Sequence, residues 1–263
     1  MASGESQKAF ITGGSRGIGA ETAVVFAENG WDVAIGATRE SRDMHKTLER
    51  LADNGVDPLI AWGDITFPDS RHRLINQVLD WAGDDLSALI LNAGGGLERG
   101  KSRNYGSIIN RDSQVALAEK FSRGMAPAAR ILFVTSHWAH WYDRGLKMPP
   151  LEIEGKDYDV VAGSKHAGET ALRDMIPDFT DRDVRLLVAV SGYAPDTIVG
   201  RLGQRGAPEF VNEQEELGNA PRAREIAEFI FGMVNNPDLE NGATGIIGAD
   251  EETFLAIAKK ETE

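Results

Sequence analysis

The chain has 263 residues, 41% of them apolar and 26% charged, with a formal charge of −13 that opposes general binding to nucleic-acid phosphates. It has no cysteine, which excludes disulfides, thiolate metal sites and cysteine nucleophiles. No apolar run approaches the roughly 20 residues of a bilayer span, and residues 1–10, MASGESQKAF, lack an apolar core of signal-peptide length, so a cytoplasmic protein without membrane or nucleic-acid partners is expected.

Short apolar runs alternate with amphipathic stretches along the chain. The runs are AFIT (9–12), DVAIGA (32–37), PLIAW (58–62), ALILN (88–92), RILFVT (130–135), RLLVAV (185–190) and TGIIG (244–248). The first stretch between them, GIGAETAVVFAENG, sets Ile18, Thr22, Val25 and Phe26 on one helical face and stops at Gly30. Strands alternating with helices predict a parallel sheet of about seven strands covered on both faces. No repeat or linker divides the chain, so one domain over 1–263 is expected. Residues 94–104 and 137–156 read as irregular. The charged tail DEETFLAIAKKETE, with its small apolar patch, is expected to cover an edge or an oligomer contact.

Where the first run ends, ITGGSRGIGAE places Gly13, Gly17 and Gly19 between a strand and a helix. Small residues there let a pyrophosphate approach the backbone, and the helix N-terminus offers N–H groups and partial positive charge. The second run ends GATRE, with Thr38 and Arg39 where an NAD-binding chain would place a carboxylate, and Glu40 falls too late. Arg39 with Arg16 supplies a planar clamp for a 2′-phosphate, which favours NADP(H) over NAD(H). GGLERGKS (95–102) formally matches a P-loop, but RNYGSIIN after it is no convincing helix.

With its G-x-x-x-G-x-G spacing, TGGSRGIG (12–19) resembles the short-chain dehydrogenase/reductase family, including the beta-ketoacyl carrier-protein reductases. The resemblance spans nearly the whole chain and implies a Rossmann-type doubly wound α/β fold. It assigns Gly13, Ser15, Arg16, Gly17, Ile18 and Gly19 to the coenzyme loop, Asp64 and Ile65 to the adenine, and Asn92, Ala93 and Gly94 to the strand end beside the coenzyme. Gly192 and Thr197 match the loop that touches the nicotinamide, although Ser191 replaces the usual proline. Ser136, Lys165 and Asn110 match the catalytic serine, lysine and asparagine. It also implies a homodimer or homotetramer.

The family's tyrosine, four residues before the lysine, is here Val161. Ser136 and Lys165 stand 29 residues apart, and the extra segment, about 137–157, is rich in aromatics and ends at Tyr158. Tyr158 is the first candidate for a relocated acid; Tyr142, His137, His140 or a water are the alternatives. A helical Tyr158 should lean toward the helix N-terminus, away from Lys165, so a bend over 157–160 is expected if it is to serve. HWAH with Asp143 lacks further clustered ligands, and no metal is expected. Tyr193 should line the pocket, and residues 194–215 should form a lid over a small carbonyl or alcohol substrate. The expected function is NADP(H)-dependent carbonyl–alcohol interconversion. Reduction of an activated C=C bond, or a non-catalytic NADP(H)-binding regulatory role, remains the alternative.

Overall fold

A computed structural model describes residues 6–258. In chain order it runs β1 (Lys8–Ile11), α1 (Gly17–Glu28), β2 (Asp32–Ala37), α2 (Arg42–Asp53), β3 (Leu59–Trp62), α3 (Pro68–Ala82) and β4 (Leu86–Leu91). Then come α4 (Tyr105–Ser107), a π-helical turn (Ile108–Asp112), α5 (Ser113–Phe121), β5 (Met125–Ser136), α6 (His137–His140) and a 3-10 turn (Tyr142–Arg144). A two-stranded hairpin, β6 (Glu152–Ile153) and β7 (Lys156–Asp157), leads directly into α7 (Tyr158–Asp174). The chain continues through α8 (Ile176–Thr180), β8 (Val184–Ser191), α9 (Ile198–Gly206), α10 (Pro208–Glu216), α11 (Ala223–Val234), β9 (Ala243–Ile247) and α12 (Glu251–Ala258).

All seven apolar runs are strands of one parallel sheet, in the order β3-β2-β1-β4-β5-β8-β9. The central strands have no solvated face. Phe10, Leu89, Ile131 and Leu186 pack with α3, α5 and α7 on one side, and Ile11, Ile90, Leu132 and Leu187 pack with α1 and α11 on the other. Each such side chain contributes about 1.5–3 kcal/mol of burial, which drives both layers onto the sheet. Strand order reverses between β1 and β4, and this switch point opens a crevice at the carboxyl ends of the strands. Ser136 and Ser191 end β5 and β8 as register partners at that same edge.

The segment 137–156 is not irregular throughout. Trp138, Trp141 and Leu146 are buried with Phe254 in a separate apolar cluster, which folds the segment into α6, the 3-10 turn and the hairpin. The tail accordingly covers this cluster rather than a sheet edge. Phe254 of α12 stacks on Trp141 with ring centroids 5.2 Å apart, and residues 259–263 lie outside the described residues.

Candidate active site

A cleft of about 1180 Å³ runs along the carboxyl ends of the strands, from Arg39 at one end to Tyr158 and α9 at the other. That exceeds the roughly 300–1,000 Å³ of a site for one small molecule and leaves room for two ligands side by side. At the first end, Gly13 and Gly17 take φ of +65° and +57°, which an L side chain would strain. A Cβ on Gly19 would lie 2.4 Å from the Gly13 carbonyl, so Gly19 lets α1 pack under the turn and does not itself line the cleft. No side chain caps the N-terminus of α1, and Gly17 and Ile18 of its first turn face the cleft. Thr12 ties the switch point together: its hydroxyl donates to Ile90 O (3.1 Å) and accepts from the amides of Asn92 and Ala93 (2.9 Å each).

Ser15, Arg16, Thr38, Arg39, Asp64, Ile65, Asn92, Ala93, Gly94, Gly192 and Thr197 all line this cleft. Lys46, which the motifs did not reveal, lines the same cleft as the arginines; only the pattern of α2 could have suggested it. Arg50, also at this end, is held by Glu21 at 2.6 and 2.8 Å. Glu40 is engaged with His45 at 3.0 Å. The Asp64 carboxylate accepts from Thr66 N–H (2.9 Å) and Thr66 Oγ1 (2.6 Å), which fixes the turn after β3.

At the other end, Ser136, Tyr158 and Lys165 line the same cleft. The Ser136 hydroxyl oxygen is buried without a hydrogen-bond partner among the described residues. The Tyr158 phenol approaches it closely enough to feel it, short of a formed hydrogen bond. Burial pushes this phenol's pKa upward, and the serine only partly offsets that. Lys165 donates to Val134 O at 2.9 Å, and burial lowers its pKa to about 8. Residues seven apart fall on one helical stripe, so Tyr158, Val161 and Lys165 share a face of α7, with Val161 packed against Leu97 and Leu151. No bend redirects the phenol. Tyr158 is already the first helical residue; its ring centroid lies 6.1 Å from that of Trp138, and Ser136 acts on its pKa.

The other acid candidates point elsewhere. His137 donates to Ala249 O (2.8 Å), and burial lowers its pKa. His140 meets the Glu169 carboxylate at 2.8 Å, and the Tyr142 hydroxyl donates to Asp159 at 3.0 Å. Asn110 does not line the cleft. Its side chain accepts from Gly95 N–H (3.0 Å) and donates to Gly95 O (2.7 Å) and Ser164 Oγ (2.8 Å), pinning the turn after β4. Tyr193 lines the pocket and donates to Gly200 O (2.6 Å), bracing α9; burial raises its pKa to about 12.

Two glycine amides of the P-loop-like stretch are already taken: Gly96 N–H by Glu98 (2.7 Å) and Gly100 N–H by Glu154 (2.9 Å). Those two amides are not open to a triphosphate. Among the described residues, no helix is long and apolar enough to cross a membrane.

The sequence pattern of the short chain dehydrogenases matches residues 7–143, just over half of the chain. The chain therefore belongs to that family of oxidoreductases, whose members bind nicotinamide dinucleotides. The match covers the coenzyme turn and Ser136 and ends before Val161 and Lys165. Versicolorin reductase 1 of Aspergillus parasiticus is 26% identical over 200 residues, covering 74% of this chain and 70% of the relative. In fold, the chain resembles a short-chain dehydrogenase/reductase of Serratia marcescens (TM-score 0.75, 22% identity, 92% of this chain and 96% of that one). A Burkholderia cenocepacia short chain dehydrogenase solved with NADP is equally similar (TM-score 0.75, 21% identity, the same coverage).

Proposed function

We propose that the protein interconverts a carbonyl and an alcohol with NADP(H), using Tyr158 as a relocated proton donor. The observation that carries this reading is the approach of the buried Tyr158 phenol to the unpartnered Ser136 hydroxyl inside the cleft. The bound coenzyme supplies or accepts the hydride. Every other task falls to side chains of this chain. The open first turn of α1 and the glycine turn before it would hold the pyrophosphate, with Arg16, Arg39 and Lys46 around a 2′-phosphate. Lys165 spends one N–H on Val134 O, and its others are free for the nicotinamide ribose hydroxyls.

Ser136 would orient the substrate oxygen, and Tyr158 would give it a proton as negative charge develops there. Leu97, Trp138, Pro149, Ile153 and Val161 form the apolar wall opposite, suited to a bulky apolar carbonyl compound. The exposed Ile198, Val199 and Leu202 of α9 face the same space and would cover it when filled. The deciding experiment follows NADPH oxidation against a carbonyl panel with wild type and Tyr158→Phe. Turnover should fall about tenfold or more, the low end of general-acid effects. Unchanged turnover removes Tyr158 from the mechanism.

A further inference from the structure

Lys156 is 4% exposed and forms no ion pair among the described residues. Its ammonium donates instead to two main-chain carbonyls of the loop after β4, those of Glu98 and of Lys101 (2.9 Å). A buried ammonium is costly unless its donors are satisfied, so a lysine here is not a neutral filler. Glu154 makes the reciprocal contact, its carboxylate accepting the Gly100 N–H at 2.9 Å. Glu154 and Gly155 form a two-residue hairpin turn with φ of 53° and 71°, strained for the glutamate and comfortable for the glycine. The strands it joins are two residues each, and such a hairpin does not hold itself together in water. It is held by what it grips.

Both sides of this grip end in the site. The hairpin contributes Ile153 to the cleft wall and runs through Asp157 straight into Tyr158. The gripped loop contributes Leu97 and Glu98. We infer that Lys156 is a positioning residue: with Glu154 it latches the loop 97–101 to the hairpin, and the latch sets the Tyr158 phenol against Ser136. This rests on the reductase reading above.

The test is a double-mutant cycle with Lys156→Met and Tyr158→Phe, reading kcat and KM for the carbonyl and Kd for NADPH. Alone, Lys156→Met should lower carbonyl kcat/KM by about tenfold, the scale of a displaced acid, with NADPH affinity within about twofold of wild type. In the Tyr158→Phe background it should cost less than about twofold more, because the group it positions is gone. A tenfold loss in both backgrounds, or no loss in either, overturns the inference. Should Lys156→Met fail to fold, Glu154→Ala removes the exposed half of the latch. It should lower kcat in the same direction and speed hydrogen exchange at Gly100, with Glu154→Gln restoring both. Unchanged exchange and turnover in Glu154→Ala would be equally fatal. If instead Tyr158→Phe leaves turnover intact, the acid assignment fails, while exchange at Gly100 still reports on the latch.

Discussion

At the coenzyme end, what faces the cleft is largely main chain: a positive-φ turn, an uncapped helix start, and a threonine stitching β1 to β4. At the proton-transfer end, what faces it is side chain: a phenol, a hydroxyl, an ammonium and an apolar wall from five separate segments. The first arrangement depends on backbone shape, which glycine spacing specifies within eight residues. The second depends on how a 29-residue excursion packs, and on where one tyrosine lands. On the proposed reading, the acid has moved along α7 while the coenzyme turn has stayed fixed.

The largest effect should come from Lys165, which the proposed mechanism uses at both ends. Lys165→Met should lower turnover by about a hundredfold or more, since coenzyme orientation and nearby positive charge go together. It should also stabilise the free protein. The pKa of Lys165 falls from 10.5 to about 8 by burial. Below pH 8 both folded and unfolded states are protonated, and the folded state bears the full desolvation cost. Between about 8 and 10.5 the unfolded state binds more protons, so wild-type stability gains as pH rises. Replacing the lysine abolishes that gain and adds about 1–2 kcal/mol at pH 7, discounted because the cleft side is wet. Thermal melts of both proteins from pH 6 to 10 would show the curves converging; parallel curves would break the assignment.

A smaller effect divides the ends by pH in the working enzyme. The Tyr158 phenol is pushed up by burial and must be protonated to donate, so it imposes no alkaline loss of reduction below the ordinary tyrosine range. On the proposed mechanism Lys165 holds the ribose as a cation, so the alkaline limb of reduction should fall near pH 8. Tyr158→Phe should lower the whole profile without moving that limb. A limb that moves with the phenol would show that the two groups titrate together.

Arg39→Ala probes the other end in isolation. It should weaken NADPH by about tenfold and NADH by less than about twofold, the loss of one charge-assisted contact to the 2′-phosphate. Titration calorimetry with both coenzymes reads the difference, and equal weakening would break the clamp.

The same contrast explains what the sequence made legible. The seven strands, the turn at Gly13–Gly19 and the cleft positions of Ser136 and Lys165 all follow from short-range patterns: β-rich runs buried on both sides, glycine spacing, and one helical stripe. Segment 137–156 looked irregular because its order comes from Phe254, more than a hundred residues on. Tyr158 was legible as a candidate but not as a neighbour of Ser136, since which wall a first-turn side chain leans against depends on α6. Lys156 left no motif, because contacts across loops have no period.

The comparison sharpens most at Val161, where the two designs differ by one turn of the same helix. A phenol at 161 would start about 6 Å along the axis from Lys165, against about 10.5 Å for Tyr158. Val161 is bounded by Leu97, Leu151 and Gly96, where an added Cβ would sit 2.9 Å from the valine Cγ2. Val161 also lines the cleft, and that side is where a larger ring at 161 has room. Installing Val161→Tyr in the Tyr158→Phe background should restore turnover by about two- to tenfold, at a cost of about 1–3 kcal/mol of stability from overpacking. The restored activity should also show what wild type lacks, a phenol coupled to Lys165, seen as an alkaline limb displaced from that of the parent. Stability lost without any gain in turnover would mean that the lysine no longer faces the reacting carbonyl, and that relocating the acid also relocated the substrate.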